Sequence, residues 1–405
     1  MKKEKILFVN DAMRIGGNTT SLLSLLHCID LEKYDVDLLL YRNMGEMLPL
    51  IPEGIRLLPQ AFAYEGLLGR IKKYIKVFFS GYARRARRAN KRLGSEGYAR
   101  AVMADCQAYL LSRRLPDEYD YAVGFIEGWA DHYAAHIPNA KHRYAWLHSK
   151  FEEICPDPDL ERPWMEKVDH IVNVSEQGHL AFCEAMPDMK DKALYIKNIL
   201  SSRLVQARAA MADESDEAYL AYKKANVFKI VTVGRIDLTS KALERAVACA
   251  AKLKKEGYRF LWYIVGDGPD FTYLKSKIEE ADVSDVLVMI GKRVNPMPFV
   301  AAADIFCLTS RFEGKPMVVT EAMILSVPPV VTEYASAHEQ IKDGIEGRIA
   351  PNNDEAIHDE IKFCLDHPDE VACMSTYLAE HEYGNEEYIK YIEETLFNSS
   401  PDVSS

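Results

Sequence analysis

Short runs of β-branched, aromatic and other apolar residues alternate along the whole chain with longer stretches in which apolar residues recur every three or four positions. The short runs are typical of buried strands, and the longer stretches are typical of amphipathic helices. The strands are predicted at residues 5–9, 36–40, 55–58, 121–125, 144–147, 171–174, 193–196, 228–233, 260–265, 286–290, 304–308 and 329–332. Regular alternation of this kind predicts an α/β protein in which parallel sheets are covered by helices on both faces.

A change of composition divides this pattern into two halves. Residues 201–226 are polar and rich in Ala, Ser and charged residues, so we place a domain boundary near residue 200. The length of 405 residues agrees with two domains. We expect one domain over 1–199 and a second over 200–382, followed by a last helix at about 383–398. In open α/β sheets ligands bind beyond the carboxyl ends of the strands, so residues that directly follow a strand are the candidates for chemistry.

Composition narrows the possible functions. Hydrophobic residues make up 48% of the chain and charged residues 27%, which is a globular composition. The scattered cysteines lack the spacing of metal ligands, and we interpret the triplets at Asp35 and Asp157 as structural, so no metal site is expected. A net charge of −11 argues against nucleic acid as a partner. The apolar runs are too short for a signal peptide or a membrane span, which predicts a cytoplasmic protein.

The densest signal is the segment 310–322, Ser-Arg-Phe-Glu-Gly-Lys-Pro-Met-Val-Val-Thr-Glu-Ala, which directly follows a predicted strand. Pro316 suits the first turn of a helix, so a helix is predicted over 316–326. Its free amide groups and the positive end of its dipole would suit a phosphate or sugar hydroxyls. Glu313 precedes the helix and Glu321 lies eight residues further on, a separation of roughly 12 Å along a helix. The alternative is an ordinary solvated helix face.

A second signal follows the strand at 228–233. Gly234 and Arg235 come directly after it, and Lys241 is predicted to open the next helix behind Thr239 or Ser240 as a cap. Arginine offers a planar fork for phosphate oxygens and lysine offers a mobile point charge, so the two together could hold a diphosphate. The alternative is two solvated surface cations.

Three weaker signals also follow predicted strands. Gly266 and Gly268, in Gly-Asp-Gly-Pro, either allow close backbone approach to a ligand or form a plain turn. Gly16 and Gly17 precede a predicted helix and could present free amide groups, although a turn with an N-cap explains them as well. His148 could reach a reacting group, or could be structural. Neither a Gly-x-Gly-x-x-Gly fingerprint nor a P-loop motif occurs, which disfavours a nicotinamide dehydrogenase or a P-loop NTPase.

Taken together, these motifs resemble those of glycosyltransferase family 4, retaining enzymes of the GT-B fold. The resemblance rests on the Glu-x7-Glu element from Glu313 to Glu321, on Gly234-Arg235 with Lys241, on Gly266-Asp267-Gly268 and on Gly16-Gly17. It implies two facing Rossmann-like domains with a cleft between them, the first binding the acceptor and the second binding the nucleotide-sugar donor. It also implies that the last helix packs back onto the first domain.

The resemblance further assigns roles to residues. Arg235 and Lys241 would hold the donor diphosphate. Glu313 would meet the sugar, together with the backbone amides near the segment Gly314, Lys315, Pro316 and Met317. Glu321 would hold the ribose hydroxyls, Lys292 and Val294 would lie against the base, and Gly17 would meet the donor from the first domain. His148 would be near the transferred sugar or the acceptor. Ala242 and Lys315 depart from the commoner form of the family, which has Gly and an apolar residue at these positions.

The implied reaction is a front-face substitution in which the departing diphosphate helps to deprotonate the acceptor hydroxyl. No metal or other cofactor is expected, and a UDP-sugar is the favoured donor. The rival interpretations are a sugar-nucleotide epimerase of the same fold, and a non-catalytic partner that binds a nucleotide sugar on behalf of another transferase.

A basic stripe bears on the acceptor. Residues 67–92 contain ten Lys or Arg residues and no Asp or Glu, and apolar and basic side chains in 67–87 separate onto two helical faces. A basic amphipathic helix of this kind can lie on an anionic membrane surface. The segment therefore predicts a peripheral position at the inner face of a membrane and a saccharide or lipid-linked acceptor, in surface-polysaccharide or glycolipid synthesis. The alternative is an ordinary packed helix with a solvated basic face.

Overall fold

The computed structural model describes residues 2–62, 71, 72, 75, 79, 104, 106–149, 151 and 158–397. The chain divides into two compact units, Met1–Ile199 together with Glu386–Ser405, and Leu200–Asn385. Most of the basic stripe, Asp157 and the end of the chain lie outside the described residues, whereas the other two residues of the Asp157 triplet, Pro158 and Asp159, begin a helix.

The first unit contains a sheet of seven strands, all paired in parallel, within the described residues. Its order is β3-β2-β1-β4-β5-β6-β7. The strands are β1 Glu4–Asn10, β2 Tyr34–Leu40, β3 Arg56–Leu57, β4 Glu118–Gly124, β5 Asn139–Leu147, β6 His170–Asn173 and β7 Ala193–Tyr195. The helices are α1 Gly17–Cys28, α2 Trp129–His136, α3 Pro158–Met165 and α4 Glu176–Ala185. Single turns of 3₁₀ or π helix lie at Leu48–Leu50, Gln107–Leu111 and Pro187–Lys192.

The second unit contains a parallel sheet of six strands in the order β10-β9-β8-β11-β12-β13. The strands are β8 Phe228–Val233, β9 Phe260–Val265, β10 Leu287–Gly291, β11 Ile305–Leu308, β12 Pro329–Thr332 and β13 Arg348–Ala350. The helices are α5 Ser202–Ala210, α6 Glu217–Lys224, α7 Leu238–Lys241, α8 Glu244–Lys255, α9 Phe271–Glu280, α10 Met297–Ala301, α11 Met317–Ile324, α12 Ala337–Gln340, α13 Ala356–Asp366 and α14 Pro368–Ala379.

The last helix, α15 Tyr388–Ile392, continues into a π-helical turn at Glu393–Phe397 and belongs to the first unit. There the hydroxyl groups of Tyr121 and Tyr144 donate to the carbonyl oxygens of Phe397 and Leu396, both at 2.5 Å. Two hydrogen bonds from β4 and β5 thus fasten this turn to the first sheet.

Alternation along the strands of the second sheet explains why helices cover both faces. Val231, Tyr263 and Phe306 contribute to a core with α5, α6, α10, α11 and α14. Their strand neighbours Ile230 and Trp262 contribute to a separate core with α8, α9 and α13. Successive side chains of a strand point to opposite faces, so each strand supplies both cores. Burial on both faces produces the near-continuous apolar runs from which the strands were predicted.

The chain order of the strands reverses once in each sheet. In the second sheet β8, β9 and β10 follow one another in one direction, whereas β11, β12 and β13 continue on the other side of β8. The turns after β8 and β11 therefore leave from neighbouring strands, and in open α/β sheets ligands bind at the carboxyl edge where the strand order reverses. The corresponding reversal in the first sheet lies between β1 and β4.

The predicted fold class, α/β with two parallel-sheet units, is confirmed. The helices α5 and α6 in the polar segment 201–226 and the edge strand β13 were not predicted. The predicted start of a helix at Pro316 is wrong, because Pro316 has an extended ψ of 113° and occupies the N-cap of α11.

Candidate functional site

The reversal in the second sheet brings together two of the residues that the sequence analysis selected. Lys241 ends α7 after β8, and Glu313 lies in the turn after β11. The Nζ of Lys241 lies 2.5 Å from Oε1 of Glu313, and the hydroxyl of Ser310 donates to the same oxygen at 2.6 Å. Both side chains are partly buried, with 21% and 13% of their surface exposed. The carboxylate and the ammonium group thus share one partly desolvated position at the carboxyl edge of the sheet.

The prediction that Lys241 opens a helix behind Thr239 or Ser240 is wrong. Asp237 caps the short helix α7 by accepting hydrogen bonds from the backbone amides of Thr239 and Ser240, and Lys241 is its last residue. Ala242 then has a left-handed conformation with φ of 49°. An Asp that precedes the helix satisfies its free amides, so the helix begins earlier than a Thr or Ser cap would allow.

Several hydrogen bonds fix the turn after β11 against the turn after β8. The amide of Arg311 donates to the carbonyl oxygen of Ser240 at 2.8 Å, and the hydroxyl of Thr309 donates to the carbonyl oxygen of Lys241 at 2.9 Å. The buried Arg245 donates to the carbonyl oxygen of Thr309 at 3.3 Å and to Asp354 at 2.8 Å. The position of Glu313 relative to Lys241 is therefore determined by the backbone as well as by their own contact.

Gly234 and Arg235 lie in the same turn. A Cβ atom added to Gly234 would lie 3.8 Å from Cε of Lys241, so the lysine side chain lies beside this glycine. Arg235 is exposed, and within the described residues its guanidinium group forms no hydrogen bond or ion pair. Its guanidinium group therefore remains available to an anion.

Close packing of backbones explains Gly266 and Gly268. A Cβ atom at Gly266 would lie 1.9 Å from the carbonyl oxygen of Gly234, and one at Gly268 would lie 2.1 Å from that of Ile236. Such distances are impossible, so both positions require glycine. The Gly-Asp-Gly-Pro turn thus supports the turn after β8 from the β9 side, which favours the structural interpretation of these glycines.

The start of α11 lies next to Glu313. Its N-cap, Pro316, provides no side-chain hydrogen bond, and the first turn contains no acidic residue. The side chain of Gln340 holds the Pro316 carbonyl oxygen at 3.0 Å, and the hydroxyl of Ser336 donates to the carbonyl oxygen of Gly314. The amide end of the helix is thereby held in place without a side-chain acceptor, and a helix start of this kind favours an anion. Lys315 is exposed beside it.

Glu321, the second glutamate of the motif, is buried in α11 with 7% of its surface exposed. Its Oε1 accepts a hydrogen bond from Nη1 of Arg208 at 3.2 Å, and Arg208 is itself only 3% exposed. Burial raises the pKa of Glu321, and the charge and hydrogen bond of Arg208 counteract that shift. Arg208 was not among the residues selected from the sequence, because it lies in the polar segment 201–226 that follows the predicted domain boundary.

The segment after β10 has one partly buried anchor, Arg293, and two exposed residues. Arg293 donates to the carboxylate of Asp216, with Nε at 2.5 Å, and to the carbonyl oxygen of Ile290, also at 2.5 Å. Asp216 caps α6. Lys292 and Val294, the two residues predicted to lie against a base, flank this anchor and are exposed. Arg293 therefore fixes the backbone that presents them.

In the first unit, Gly16 and Gly17 lie at the start of α1, as predicted. Gly16 is the N-cap of the helix, without a side-chain hydrogen bond, and a Cβ atom there would meet nothing within 4 Å. Among the described residues, therefore, no steric requirement for glycine is found at Gly16.

His148 follows β5 and contacts the turn after β4. Its Nε2 lies 2.9 Å from the carbonyl oxygen of Phe125, and since a carbonyl can only accept, Nε2 carries the proton. Burial lowers the pKa of His148, although the charge of Glu127 partly counteracts this. The neutral ring then has its lone pair on Nδ1, which forms no hydrogen bond within the described part of the chain.

The described part of the chain does not bring three or more His, Cys, Asp or Glu side chains together in a way that could hold a metal ion. In the same residues, no helix combines the length and the hydrophobicity needed to cross a bilayer.

The chain is similar in sequence to known glycosyltransferases. Residues 213–381 match the family model for glycosyl transferases group 1. The chain is 30% identical to the amylovoran biosynthesis glycosyltransferase AmsK of Erwinia amylovora over 134 residues, which are 31% of this chain and 33% of that protein. It is 22% identical to the alpha-D-kanosaminyltransferase of Streptomyces kanamyceticus over 76% of this chain and 78% of that protein. The alignments with the most similar curated relatives span about a third of their length.

Solved structures extend the likeness of fold to the whole chain. The structure of Anabaena HepE in complex with UDP-glucose matches with a TM-score of 0.66 at 17% identity, over 97% of this chain and 99% of that one. The likeness to WaaG, a glycosyltransferase involved in lipopolysaccharide biosynthesis, has a TM-score of 0.58 at 12% identity, over 97% of this chain and 100% of that one. The chain therefore has the GT-B fold of these glycosyltransferases, and its residues 213–381 match the glycosyl transferases group 1 family.

Proposed function

We propose that the chain is a retaining glycosyltransferase that moves a sugar from a UDP-sugar to a saccharide or lipid-linked acceptor, in the synthesis of a surface polysaccharide or glycolipid. The observation that carries this proposal is the contact of 2.5 Å between Lys241 and Glu313 at the strand-order reversal of the second sheet. The same turn as Lys241 carries Arg235, whose guanidinium group forms no ion pair within the described residues, and Glu313 precedes the start of α11, whose cap adds no side-chain hydrogen bond. These groups together suit a diphosphate and a sugar hydroxyl.

In the proposed reaction the bond between the anomeric carbon and the diphosphate oxygen breaks, and a new bond forms between that carbon and an acceptor oxygen on the same face. The acceptor proton passes to the departing diphosphate. Lys241, Arg235 and the amides at the start of α11 would stabilise the negative charge that develops on the leaving group, without a metal ion. Groups that are already in position for developing charge make the largest contribution to many enzymatic rates.

The roles of the remaining residues follow from the same proposal. Glu313 would accept a hydrogen bond from the donor sugar, and Glu321 would accept hydrogen bonds from the ribose. Gly314, Lys315, Pro316 and Met317 would surround the sugar and phosphates, while Lys292 and Val294 would lie against the base. In the first unit, Gly16, Gly17 and His148 would serve the sugar or the acceptor. The facing of the two units, and a cleft between them, stay predictions.

Ligand-dependent melting tests the donor class. A ligand that binds only the folded state raises the melting temperature, so in a panel of nucleoside diphosphates and their sugars we expect the largest increase with UDP-sugars. Arg235→Ala should abolish most of that increase in melting temperature, because it removes a cation proposed to hold the diphosphate. The fold itself should be unchanged, since the Arg235 side chain is exposed and has no partner within the described residues. Identical melting of the wild type with every ligand would contradict the proposal.

Turnover distinguishes the proposed transferase from its rivals. With a UDP-sugar and a mixture of lipid-linked and saccharide acceptors, a transferase releases UDP and forms a glycoside with the anomeric configuration of the donor. Conversion of the nucleotide sugar without any acceptor would indicate an epimerase. Tight binding of the donor without turnover under all of these conditions would indicate a non-catalytic partner.

The peripheral membrane position is supported by three exposed apolar side chains in the described part of the basic stripe. Ile71, Ile75 and Phe79 are 47%, 52% and 82% exposed, and their spacing of four residues places them on one face of a helix. Lys72, beside them, is exposed as well. An exposed apolar row with neighbouring cations suits the surface of an anionic bilayer and a lipid-linked acceptor.

Sedimentation with vesicles tests this position. We expect the protein to bind vesicles that contain phosphatidylglycerol. Phe79→Asp should reduce binding at least about fivefold, since it removes apolar area that the bilayer would bury and adds a negative charge that the anionic lipid repels. Leu180→Asp is the matched control, because Leu180 is an apolar residue of the first unit with 61% exposure and lies outside the stripe. Equal binding of the two variants and the wild type would contradict the membrane role.

A further inference from the structure

The buried pair of Arg208 and Glu321 is not explained by packing alone. It joins α5 to α11 across 113 residues of sequence. Both side chains are nearly inaccessible, with 4% and 9% of their surface exposed. Removing two opposite charges from water costs several kcal/mol, and apolar residues of similar size would often stabilise the same place at least as well. A buried pair of this kind therefore suggests a role for the carboxylate itself.

The geometry leaves part of the carboxylate unused. The hydrogen bond from Nη1 of Arg208 ends on Oε1 of Glu321, and Oε2 accepts none within the described residues. A carboxylate with two oxygens can accept about four hydrogen bonds. Glu321 thus retains acceptor capacity after its pairing with Arg208.

The helix that carries Arg208 is fixed to the segment proposed to meet the base. The side-chain amide of Asn295 donates to the carbonyl oxygens of Arg208 and Met211, at 2.6 and 3.3 Å. Asn295 directly follows Val294, so these two hydrogen bonds connect the end of α5 to the segment after β10. A residue on α5 can therefore set the position of Glu321 relative to the groups that would hold the base.

We propose that Arg208 is a positioning residue for the nucleoside: it orients the carboxylate of Glu321 so that it accepts hydrogen bonds from the ribose hydroxyls of the donor. This inference rests on the proposed nucleotide-sugar function. Without the arginine, the carboxyl of Glu321 lies buried without that cation. Its pKa then rises further, because the charge and hydrogen bond that oppose the effect of burial are lost. A protonated carboxyl accepts more weakly and presents an O–H where the ribose needs an acceptor.

Calorimetric titration of the full chain with UDP and with 2′-deoxy-UDP tests this role. The wild type should bind UDP at least about tenfold more tightly, since a hydrogen bond to a charged group is lost with the hydroxyl. In Arg208→Met that ratio should fall to below about threefold, by the same reasoning. In addition, the affinity of Arg208→Met for UDP should recover as the pH rises and Glu321 ionises, over a range in which the wild type changes little. Arg208→Lys, which keeps the charge, should retain part of the preference for ribose.

Two controls separate positioning from loss of stability. Val205→Ala removes a fully buried side chain from the core on the same helix, so it destabilises α5 without touching the pair, and it should keep the wild-type ratio. Arg208→Met/Glu321→Gln removes both charges and should restore the melting temperature, but not the preference for ribose. A preference for UDP over 2′-deoxy-UDP that persists in folded Arg208→Met would overturn the inference. Failure of the wild type to bind UDP at all would instead overturn the proposed function.

Discussion

Replacing Lys241 with methionine is expected to lower kcat for sugar transfer by about two to three orders of magnitude, the size of effect seen when one preorganised donor to developing charge is removed. The ammonium group of Lys241 is mostly shielded from water and lies 2.5 Å from Glu313 at the carboxyl edge of the sheet. Methionine keeps most of the length of the side chain but cannot stabilise a departing diphosphate. Initial rates at saturating donor, together with the melting temperature, measure the effect.

Lys277→Met is the matched control for this substitution. Lys277 also pairs with a glutamate of the same unit, Glu280, at 2.7 Å, but on an exposed helix surface. Exposed pairs contribute roughly 0–1 kcal/mol, so neither stability nor rate should change appreciably. If Lys241→Met and Lys277→Met retain the same kcat, the assignment of Lys241 to the reaction is wrong.

Gly266→Ala is expected to destabilise the second unit and to weaken donor binding together. The new Cβ atom would lie 1.9 Å from the carbonyl oxygen of Gly234, a backbone atom that cannot move without displacing the turn that carries Arg235. Overpacking of this kind costs about 1–3 kcal/mol, which corresponds to a fall of several degrees in melting temperature. Thermal melting with and without UDP measures both effects in one experiment.

Gly314→Ala provides the contrast for that result. A Cβ atom at Gly314 meets nothing within 4 Å, so the melting temperature should remain unchanged. Because Gly314 lies beside Glu313 in the proposed sugar site, its substitution should act on the rate alone. Equal stability of Gly266→Ala and Gly314→Ala would show that the turn after β9 does not support the turn after β8.

The fold was largely predictable because strands that are buried on both faces of a sheet have near-continuous apolar sequences. The strands Phe228–Val233, Phe260–Val265 and Pro329–Thr332 have the bounds that their apolar runs predicted. The strand Arg348–Ala350 was missed because it is short, lies at the edge of the sheet and begins with a charged residue. Such a strand is defined by its partner β12 and not by its own composition.

The candidate site was predictable only in part. Turns that follow strands pointed to Lys241 and Glu313, and the strand order of the second sheet explains why they meet. Local capping was misjudged, since Asp237 and not Thr239 or Ser240 caps α7. Arg208 was missed altogether, because its burial and its contact with Glu321 arise from tertiary packing. A single arginine in a polar segment gives no sign of that environment.

Whether the second unit holds a diphosphate is tested by measuring the affinities of UDP and UMP for the wild type and for Arg235→Ala. If Arg235, Lys241 and the start of α11 form a diphosphate site, the wild type binds UDP at least about tenfold more tightly than UMP, because the second phosphate adds charge-assisted hydrogen bonds. Arg235→Ala should lose most of this preference while it retains affinity for UMP. Equal affinities of the wild type for UDP and UMP would contradict the account.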